Sequence, residues 1–273
     1  MIQPLLDLPE ASSDQRSLSP PLKWAGGKRW LVPYLSSLYE PHRRRRWVDL
    51  FAGGLALPLG LKPDKALLND INPHLINFYK WIQKGLEITI PLVYDREVYY
   101  AYRRRFNDLI QQGLWQTKEA AELFYYLNRT GYNGLCRFNQ KGEFNVPFGK
   151  YKKVNYQRRF ADYQEIFQKW EFSSLDFRHV PLQPDDFVYA DPPYDVEFTK
   201  YSPEGFGWRD QVDLAKLLAQ HPGPVVISNQ ATERILRLYR ELGYELHLLP
   251  APRRISCNGD RQKALEVLAV RNL

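Results

Sequence analysis

The segment Asp191-Pro192-Pro193-Tyr194 has the composition expected of a site that acts on an amino group. It directly follows a short apolar run. Its two prolines restrict the backbone and remove N–H donors, which leaves carbonyl oxygens as acceptors. A carboxylate and a carbonyl can accept both hydrogens of one amino group, while the Tyr194 ring can stack on a base. An amine conjugated to an aromatic ring is a poor nucleophile, so its chemistry depends on positioning and electrostatics.

A second segment, residues 49–54 (DLFAGG), has the pattern of a cofactor site. An apolar strand that runs into Gly53 and Gly54 lets the backbone approach a ligand closely, and a following helix adds N–H donors. Asp70 follows the next predicted strand, about 20 residues later, where an acidic side chain meets ribose hydroxyls in nucleotide-type sites. These residues alone fit either a nicotinamide cofactor or S-adenosylmethionine, and the absence of a full GxGxxG pattern favours S-adenosylmethionine.

A third segment, residues 23–28 (KWAGGK), superficially resembles a phosphate-binding loop. It lacks the first glycine at the required spacing and the Ser or Thr after Lys28, so we exclude that interpretation. A surface turn with a packed Trp24 is the structural alternative at this point.

Composition limits the class of protein. The chain has 273 residues, with 38 Lys and Arg against 31 Asp and Glu, and a pI of about 9.2. The basic excess favours a polyanionic partner without proving one. Two cysteines argue against a disulfide framework and a cysteine-rich zinc site, so we expect no metal. We see neither a membrane-spanning run nor a signal peptide and expect a cytoplasmic protein.

Short apolar runs bounded by turn residues predict an α/β fold. We expect the final two strands, on either side of an Asn258-Gly259 turn signal, to pair antiparallel. The predicted strands cover residues 47–51, 66–68, 187–190, 225–227, 244–249 and 264–270.

The middle of the chain differs from the rest. Residues 73 to about 124 have helical periodicity and many aromatic residues. The glycines that follow them predict turns and a hairpin with a basic end. We therefore expect an inserted recognition domain at 73–157 and a discontinuous catalytic domain at 21–72 and 158–273. Residues 1–20 lack periodicity, which predicts a flexible leader.

Two runs in the middle, residues 126–139 (YLNRTGYNGLCRFN) and 142–153 (GEFNVPFGKYKK), resemble the recognition hairpin of the Dam family of DNA adenine methyltransferases. The resemblance extends over nearly all of residues 22–270. It implies a Rossmann-like methyltransferase sheet with an antiparallel last strand and S-adenosylmethionine as cofactor. It also implies double-stranded DNA as partner, GATC as target, and a target adenine flipped out of the duplex. We find no obvious apolar interface stripe and expect a monomer.

The resemblance also implies a role for each matching residue. The expected catalytic residues are Asp191, Pro192, Pro193 and Tyr194. The expected cofactor-binding residues are Trp24 stacking near the adenine, Lys28 at the cofactor edge, Asp49, Phe51 and Gly53 at the methionine end, Asp70 on the ribose, Asp176 and Phe177 beside the adenine, and Asp191. The expected DNA-recognition residues are Lys23 and Arg137 on guanines, Tyr132 intruding into the stack, Asn133 and Lys150 on the backbone, and Leu135 and Pro147 on a thymine methyl.

Two departures and two alternatives accompany this interpretation. Lys150 stands where familiar members often carry Arg, which gives a point contact instead of a fork. Asp49 replaces the more usual Glu. We expect Phe198, Tyr201 and Phe206 to form a loop over the base pocket.

The alternatives are an amine methyltransferase with another target (cytosine, RNA or a protein glutamine) and a DNA-binding protein that has lost catalysis.

Overall fold

A mixed β-sheet organises the parts of the chain that the computed structural model describes, which are residues 2–3, 18–194, 205–250 and 265–273. Within these residues the sheet has eight strands in the order β1-β7-β8-β6-β5-β2-β3-β4. The strands are β1 (Ile2–Gln3), β2 (Trp47–Asp49), β3 (Ala66–Asn69), β4 (Trp170–Ser173), β5 (Phe187–Ala190), β6 (Val225–Gln230), β7 (Glu245–Pro250) and β8 (Leu265–Arg271).

The strand directions confirm the predicted α/β class with an antiparallel last strand. The pairs β2–β3, β3–β4, β2–β5 and β5–β6 are parallel, whereas β8 runs antiparallel to both β6 and β7. Every residue of β2, β3 and β5 is buried, as expected for parallel strands covered on both faces. Because parallel strands end at the same edge, the residues after β2, β3 and β5 converge there.

Eight α-helices pack around this sheet in the described residues. Side chains cap several of them: Asn72 accepts hydrogen bonds from the backbone N–H groups of His74 and Leu75, and Asp95 and Thr117 act similarly. None of these helices is long and apolar enough to cross a membrane. The helices are α1 (Val32–Tyr39), α2 (Ala56–Leu61), α3 (Pro73–Gln83), α4 (Arg96–Gln111), α5 (Lys118–Thr130), α6 (Ala161–Phe167), α7 (Trp208–Ala219) and α8 (Glu233–Glu241).

Two buried cores cover the two faces of the sheet. The alternation of side chains along β2 sends Trp47 to one face and Val48 to the other. The Trp47 core is rich in aromatic residues and continues into helices α3 to α5, where α3 packs on both α5 and β4. The Val48 core is mostly aliphatic and lies under α7 and α8. Helices α3 to α5 therefore share a core with the sheet.

Three features differ from the sequence-based expectations. The strand β4 was not predicted, because it has four residues and a glutamate interrupts its apolar pattern. In the leader, which we expected to be flexible, Ile2–Gln3 pair parallel with Leu246 and His247, a backbone contact that leaves no periodicity in the sequence. The predicted hairpin lacks regular strands and is held by isolated bridges between Gly131 and Phe148 and between Phe138 and Phe144. The Asn258-Gly259 turn lies outside the described residues.

A buried ion pair joins the amino-terminal ends of β2 and β5. The Asp186 side chain is fully buried, and its two oxygens accept from Arg46 Nε at 2.9 Å and from Arg46 Nη2 at 2.8 Å. Both residues directly precede strands that pair with each other. Removal of the guanidinium leaves a buried carboxylate without its counter-ion, which costs far more than the loss of a surface ion pair.

We therefore expect Arg46→Ala to lower the free energy of unfolding by about 3 kcal/mol. Urea unfolding followed by circular dichroism measures this change. The matched control is Arg44→Ala, which removes an exposed arginine two positions away. Equal effects of the two substitutions would show that the Asp186 ion pair does not stabilise the sheet.

Candidate active site

A cavity of about 480 Å³ opens at the carboxyl edge of the parallel strands. The ends of β2, β3 and β5 bring Asp49, Asp70 and Asp191 to this cavity, although these residues are far apart in sequence. All four residues of the segment 191–194 line it, and so do most of the predicted cofactor residues: Trp24, Lys28, Asp49, Phe51, Gly53, Asp70 and Asp191.

Gly53 is required by its backbone angle and by its neighbour. Its φ is +47°, in the left-handed region, and a Cβ at this position would lie 2.8 Å from Trp24 Nε1. The Gly53 N–H donates to Asp70 Oδ2 at 2.9 Å, and the Asn72 N–H donates to the other oxygen of Asp70 at 2.9 Å. The turn after β2 and the acidic end of β3 are therefore joined directly beside the Trp24 ring.

Asp49 and Asp70 are carboxylates held in a poorly hydrated place. Burial raises the pKa of Asp49 well above its ordinary value, and the charges of Asp191 and Asp70 raise it further, although the Phe51 N–H at 3.1 Å opposes this. Burial also raises the pKa of Asp70, against the effect of its two backbone donors. Carboxylates in this condition favour a ligand that brings positive charge or hydroxyl donors.

The corner at residues 191–194 offers a carboxylate oxygen and a carbonyl oxygen. Asp191 Oδ1 receives the Lys28 ammonium at 2.8 Å and the Ser228 hydroxyl at 3.1 Å, whereas no described residue donates to Oδ2. The Pro193 carbonyl accepts from Gln211 Nε2 at 2.8 Å, which ties the corner to α7. Of the two proline carbonyls, that of Pro192 receives no hydrogen bond from a described residue.

Lys28 lines the cavity from beneath the corner, and its place at the cofactor edge stays a prediction. Its side chain is 4% exposed, and its ammonium is 3.0 Å from both Glu266 Oε2 and Ser228 Oγ. Burial alone lowers the pKa of Lys28, but Asp191, Tyr194 and Glu266 outweigh it and raise the pKa above the ordinary lysine value. Lys28 is therefore a charged ammonium between two carboxylates.

Asp176 and Phe177 do not line this cavity. Asp176 caps the short helix Phe177–His179 and pairs with Arg178, and Arg178 also contacts Asp210 and Asp213 of α7. Phe177 and Phe206 pack against Phe51, with ring centroids 5.9 and 5.5 Å away. They thus form a wall behind a residue that does line the cavity. Phe198 and Tyr201 lie outside the described residues.

The hairpin exposes most of the predicted recognition residues. Tyr132, Asn133, Arg137, Pro147 and Lys150 are exposed, while Leu135 is half-buried. The Arg137 Nε donates to Asn145 Oδ1 at 2.8 Å, which orients its guanidinium.

The Lys23 side chain is held by neighbouring residues of the hairpin and α5. Its ammonium donates to the Arg129 carbonyl at 2.9 Å and lies 3.5 Å from the centroid of the Tyr151 ring. Burial and the neighbouring Arg129 lower the pKa of Lys23 to about 8. Its backbone exchanges two hydrogen bonds with the Asn128 side chain, at 2.9 and 2.7 Å. Residues 23–28 therefore connect the hairpin to the cavity.

Three polar residues of the site were not singled out from the sequence: Ser228, Gln211 and Glu266. Gln211 and Ser228 lie in ordinary helix and strand patterns that carry no signal. Glu266 did carry one, because it is a lone acid in the apolar run of β8 and is 6% exposed.

Comparison with known proteins assigns the family. The model of the D12 class N6 adenine-specific DNA methyltransferases matches residues 24–254. The chain is 35% identical over 270 residues to the DNA adenine methylase of Escherichia coli (strain K12), covering 91% of this chain and 94% of that protein. It is 37% identical over 273 residues to the DNA adenine methylase of Vibrio cholerae serotype O1, with the same coverage. The Retron Ec67 DNA adenine methylase of Escherichia coli is 36% identical over 263 residues, covering 91% and 90%. The chain therefore belongs to the D12 class of N6 adenine-specific DNA methyltransferases.

Proposed function

We propose that this enzyme transfers a methyl group from S-adenosylmethionine to the exocyclic amine of a flipped-out adenine in GATC. The observation that carries the proposal is the corner at residues 191–194. There Asp191 Oδ2 and the Pro192 carbonyl receive no hydrogen bond from a described residue and border the same cavity as Asp49 and Asp70. When bound, S-adenosylmethionine supplies the methyl group as an electrophilic sulfonium.

The cavity residues fit such a cofactor. The buried Asp49 carboxylate suits a cationic amino group, and Asp70 suits ribose hydroxyls. The absence of a side chain at Gly53 keeps the turn tight against Trp24 and leaves its backbone close to a ligand. Trp24 and Ile71 add apolar surface to the lining, and Ile71 is 68% exposed.

The chain contributes to the reaction by orienting the amine. Asp191 Oδ2 and the Pro192 carbonyl accept one amine hydrogen each, which favours a pyramidal nitrogen with its lone pair directed away from them. Tyr194 stacks on the base. Lys28 and Ser228 hold Asp191 Oδ1 in place, and Gln211 holds the adjoining Pro193 carbonyl.

The base must leave the duplex to reach this corner. Asp191 is recessed at the cavity, with 21% of its side chain exposed, and an amine within stacked B-DNA is not accessible to a recessed group. Tyr132 is 47% exposed on the hairpin and can fill the gap that the extruded adenine leaves.

The hairpin supports a GATC target through its residue types. Arg137 offers its Nη groups to guanine, and Lys23 offers an ammonium to the other guanine of the site. Leu135 and Pro147 suit a thymine methyl. Asn133 and Lys150 contact the DNA backbone, where Lys150 gives a single point contact.

Substitution of Asp191 by Ala tests the corner. We expect turnover to fall roughly 1,000-fold or more because the amine loses an acceptor in a water-poor site. Lys28 keeps Glu266 as its counter-ion, so the fold and DNA binding should persist. Tritiated methyl transfer to a GATC duplex measures turnover, and gel shift measures binding. Near-normal turnover would show that Asp191 does not orient the amine.

Substitution of Arg137 by Ala tests target reading. We expect discrimination at one guanine to weaken by about 1–3 kcal/mol while the other positions stay as selective as before. The measurement is kcat/KM on GATC duplexes and on duplexes substituted at each base pair. Lys141→Ala, which removes an exposed positive charge at the hairpin turn, is the control. If the wild-type chain methylates substituted and GATC duplexes equally, the proposed target is wrong; methylation of cytosine or RNA instead would support the alternatives.

We expect Asp49→Asn to raise the thermal stability of the chain and to lower its affinity for the cofactor. The burial that raises the pKa of Asp49 means that its ionised form destabilises the fold. We expect Asn to raise the Tm of the cofactor-free chain by about 2–4 °C near neutral pH. This gain should vanish below about pH 4, where the aspartate is protonated in both folded and unfolded chains. Cofactor affinity should fall, as measured by calorimetry. A lower Tm at neutral pH, or unchanged affinity, would contradict the role of Asp49.

A further inference from the structure

Glu266 is a buried carboxylate for which the proposed mechanism so far has no use. It lies on β8 between strands β6 and β7, in register with Gln230 and Leu249, and is 6% exposed. A carboxylate in the middle of a sheet is costly unless it is paired and hydrogen-bonded. Its partners therefore indicate why it is there.

Both oxygens of Glu266 face the catalytic corner. Oε2 is 3.0 Å from the Lys28 ammonium, and Oε1 accepts a hydrogen bond from the Tyr194 hydroxyl. Lys28 in turn lies 2.8 Å from Asp191 Oδ1 and 4.9 Å from the Tyr194 ring centroid. Glu266 thus contacts Lys28 and Tyr194, the two residues that flank Asp191.

The charges of this group decide what Asp191 can do. With Lys28 as a cation and both carboxylates ionised, the three side chains carry a net charge of −1. Without Glu266 the net charge would be zero, because Lys28 would neutralise Asp191 alone. Methyl transfer breaks the sulfur–carbon bond as the nitrogen–carbon bond forms. Positive charge moves from sulfur to nitrogen, and the nitrogen then releases a proton to water. A net negative charge stabilises the sulfonium and stabilises the nitrogen more strongly as it becomes positive, because the amine is hydrogen-bonded to Asp191.

We propose that Glu266 is a positioning residue of the methyl-transfer site, which neutralises Lys28 and fixes Tyr194 so that Asp191 keeps an uncompensated charge for the sulfonium and the amine. This inference rests on the proposed function.

The main test compares a cationic and a neutral ligand in the absence of DNA. S-adenosylmethionine carries the sulfonium charge, and S-adenosylhomocysteine has a neutral thioether in its place. At pH 8 we expect Glu266→Gln to weaken the binding of S-adenosylmethionine relative to S-adenosylhomocysteine by about 3- to 10-fold. Glu233→Gln is the matched control, since this carboxylate on α8 is 89% exposed. Calorimetry with both ligands gives the ratio of the two Kd values.

A double variant separates charge from packing. Lys28→Met combined with Glu266→Gln removes both the cation and its counter-ion and returns the net charge to −1. The ratio of Kd values should return to within about 2-fold of the wild-type ratio. Glu266→Gln alone keeps Lys28 paired with Asp191, whereas the double variant leaves Asp191 with only the Ser228 hydroxyl on Oδ1. Urea unfolding shows whether each variant folds, and the single variant still tests the proposal if the double variant does not fold. A double variant that keeps the altered ratio would overturn the charge argument.

Kinetics give a second readout. We expect Glu266→Gln to lower kcat on a GATC duplex by about 10- to 100-fold, with KM for DNA changed less than about 2-fold.

The titratable groups that face Asp191 are Lys28, Glu266, Asp49, Tyr189 and Tyr194. Burial raises the pKa of Asp191, Lys28 lowers it and Glu266 raises it. The acid limb of kcat/KM should therefore move to lower pH in Glu266→Gln, a shift that a purely structural residue would not cause.

The outcomes distinguish the two proposals. If wild-type protein binds the cofactor but methylates no adenine, the proposed function fails, while the ligand comparison still tests Glu266. If the wild type methylates adenine, and folded Glu266→Gln has the wild-type ligand ratio, kcat and acid limb, then Glu266 has no positioning role.

Discussion

Two carboxylates of the active site, Asp191 and Glu266, share the buried ammonium of Lys28. Like charges cannot be buried together in a poorly hydrated site unless a counter-ion lies between them. The ammonium therefore favours the ionised form of Asp191 at the corner of residues 191–194. Asp191 follows β5, Glu266 lies on β8 and Lys28 precedes α1, so this ion cluster forms only when three remote parts of the chain are folded together.

The same short segment that carries Lys28, residues 23–28, connects the cavity to the hairpin. At one end, the Lys23 backbone exchanges hydrogen bonds with Asn128 of α5, just before the hairpin. In the middle, Trp24 packs so closely on Gly53 and Gly54 that neither has room for a Cβ. A segment of six residues thus contacts α5 just before the hairpin, the turn after β2 and the corner at residues 191–194. The aromatic core shared by α3, α5 and the sheet holds the same parts together from beneath.

Side chains from later parts of the chain, on α7 and β6, support the corner. Gln211 of α7 holds the Pro193 carbonyl, and its own Oε1 accepts from Asn229 of β6 at 3.0 Å. Ser228 contacts Asp191, Lys28 and the Tyr189 hydroxyl. These supports engage the Pro193 carbonyl and Asp191 Oδ1, while Asp191 Oδ2 and the Pro192 carbonyl receive no hydrogen bond from a described residue.

The sequence by itself determined the local features of this protein. The apolar runs before Asp49, Asp70 and Asp191 predicted the strands that carry them. The Asn258-Gly259 turn signal predicted that the last two strands pair antiparallel, which is confirmed. These features are readable because strand periodicity and turn preferences depend on neighbouring residues. The two hairpin runs predicted the family, and the comparisons confirmed that family.

The tertiary structure decided which charges meet. The contact of Lys28 with both Asp191 and Glu266 could not be read from the sequence, and Glu266 had no assigned role. Asp176 and Phe177 do not line the cavity, and Phe177 packs behind Phe51. Strand order across a sheet sets these contacts, and it brings β8 between β6 and β7 against chain order. Local patterns do not encode that order, because it depends on how the whole chain buries its apolar faces.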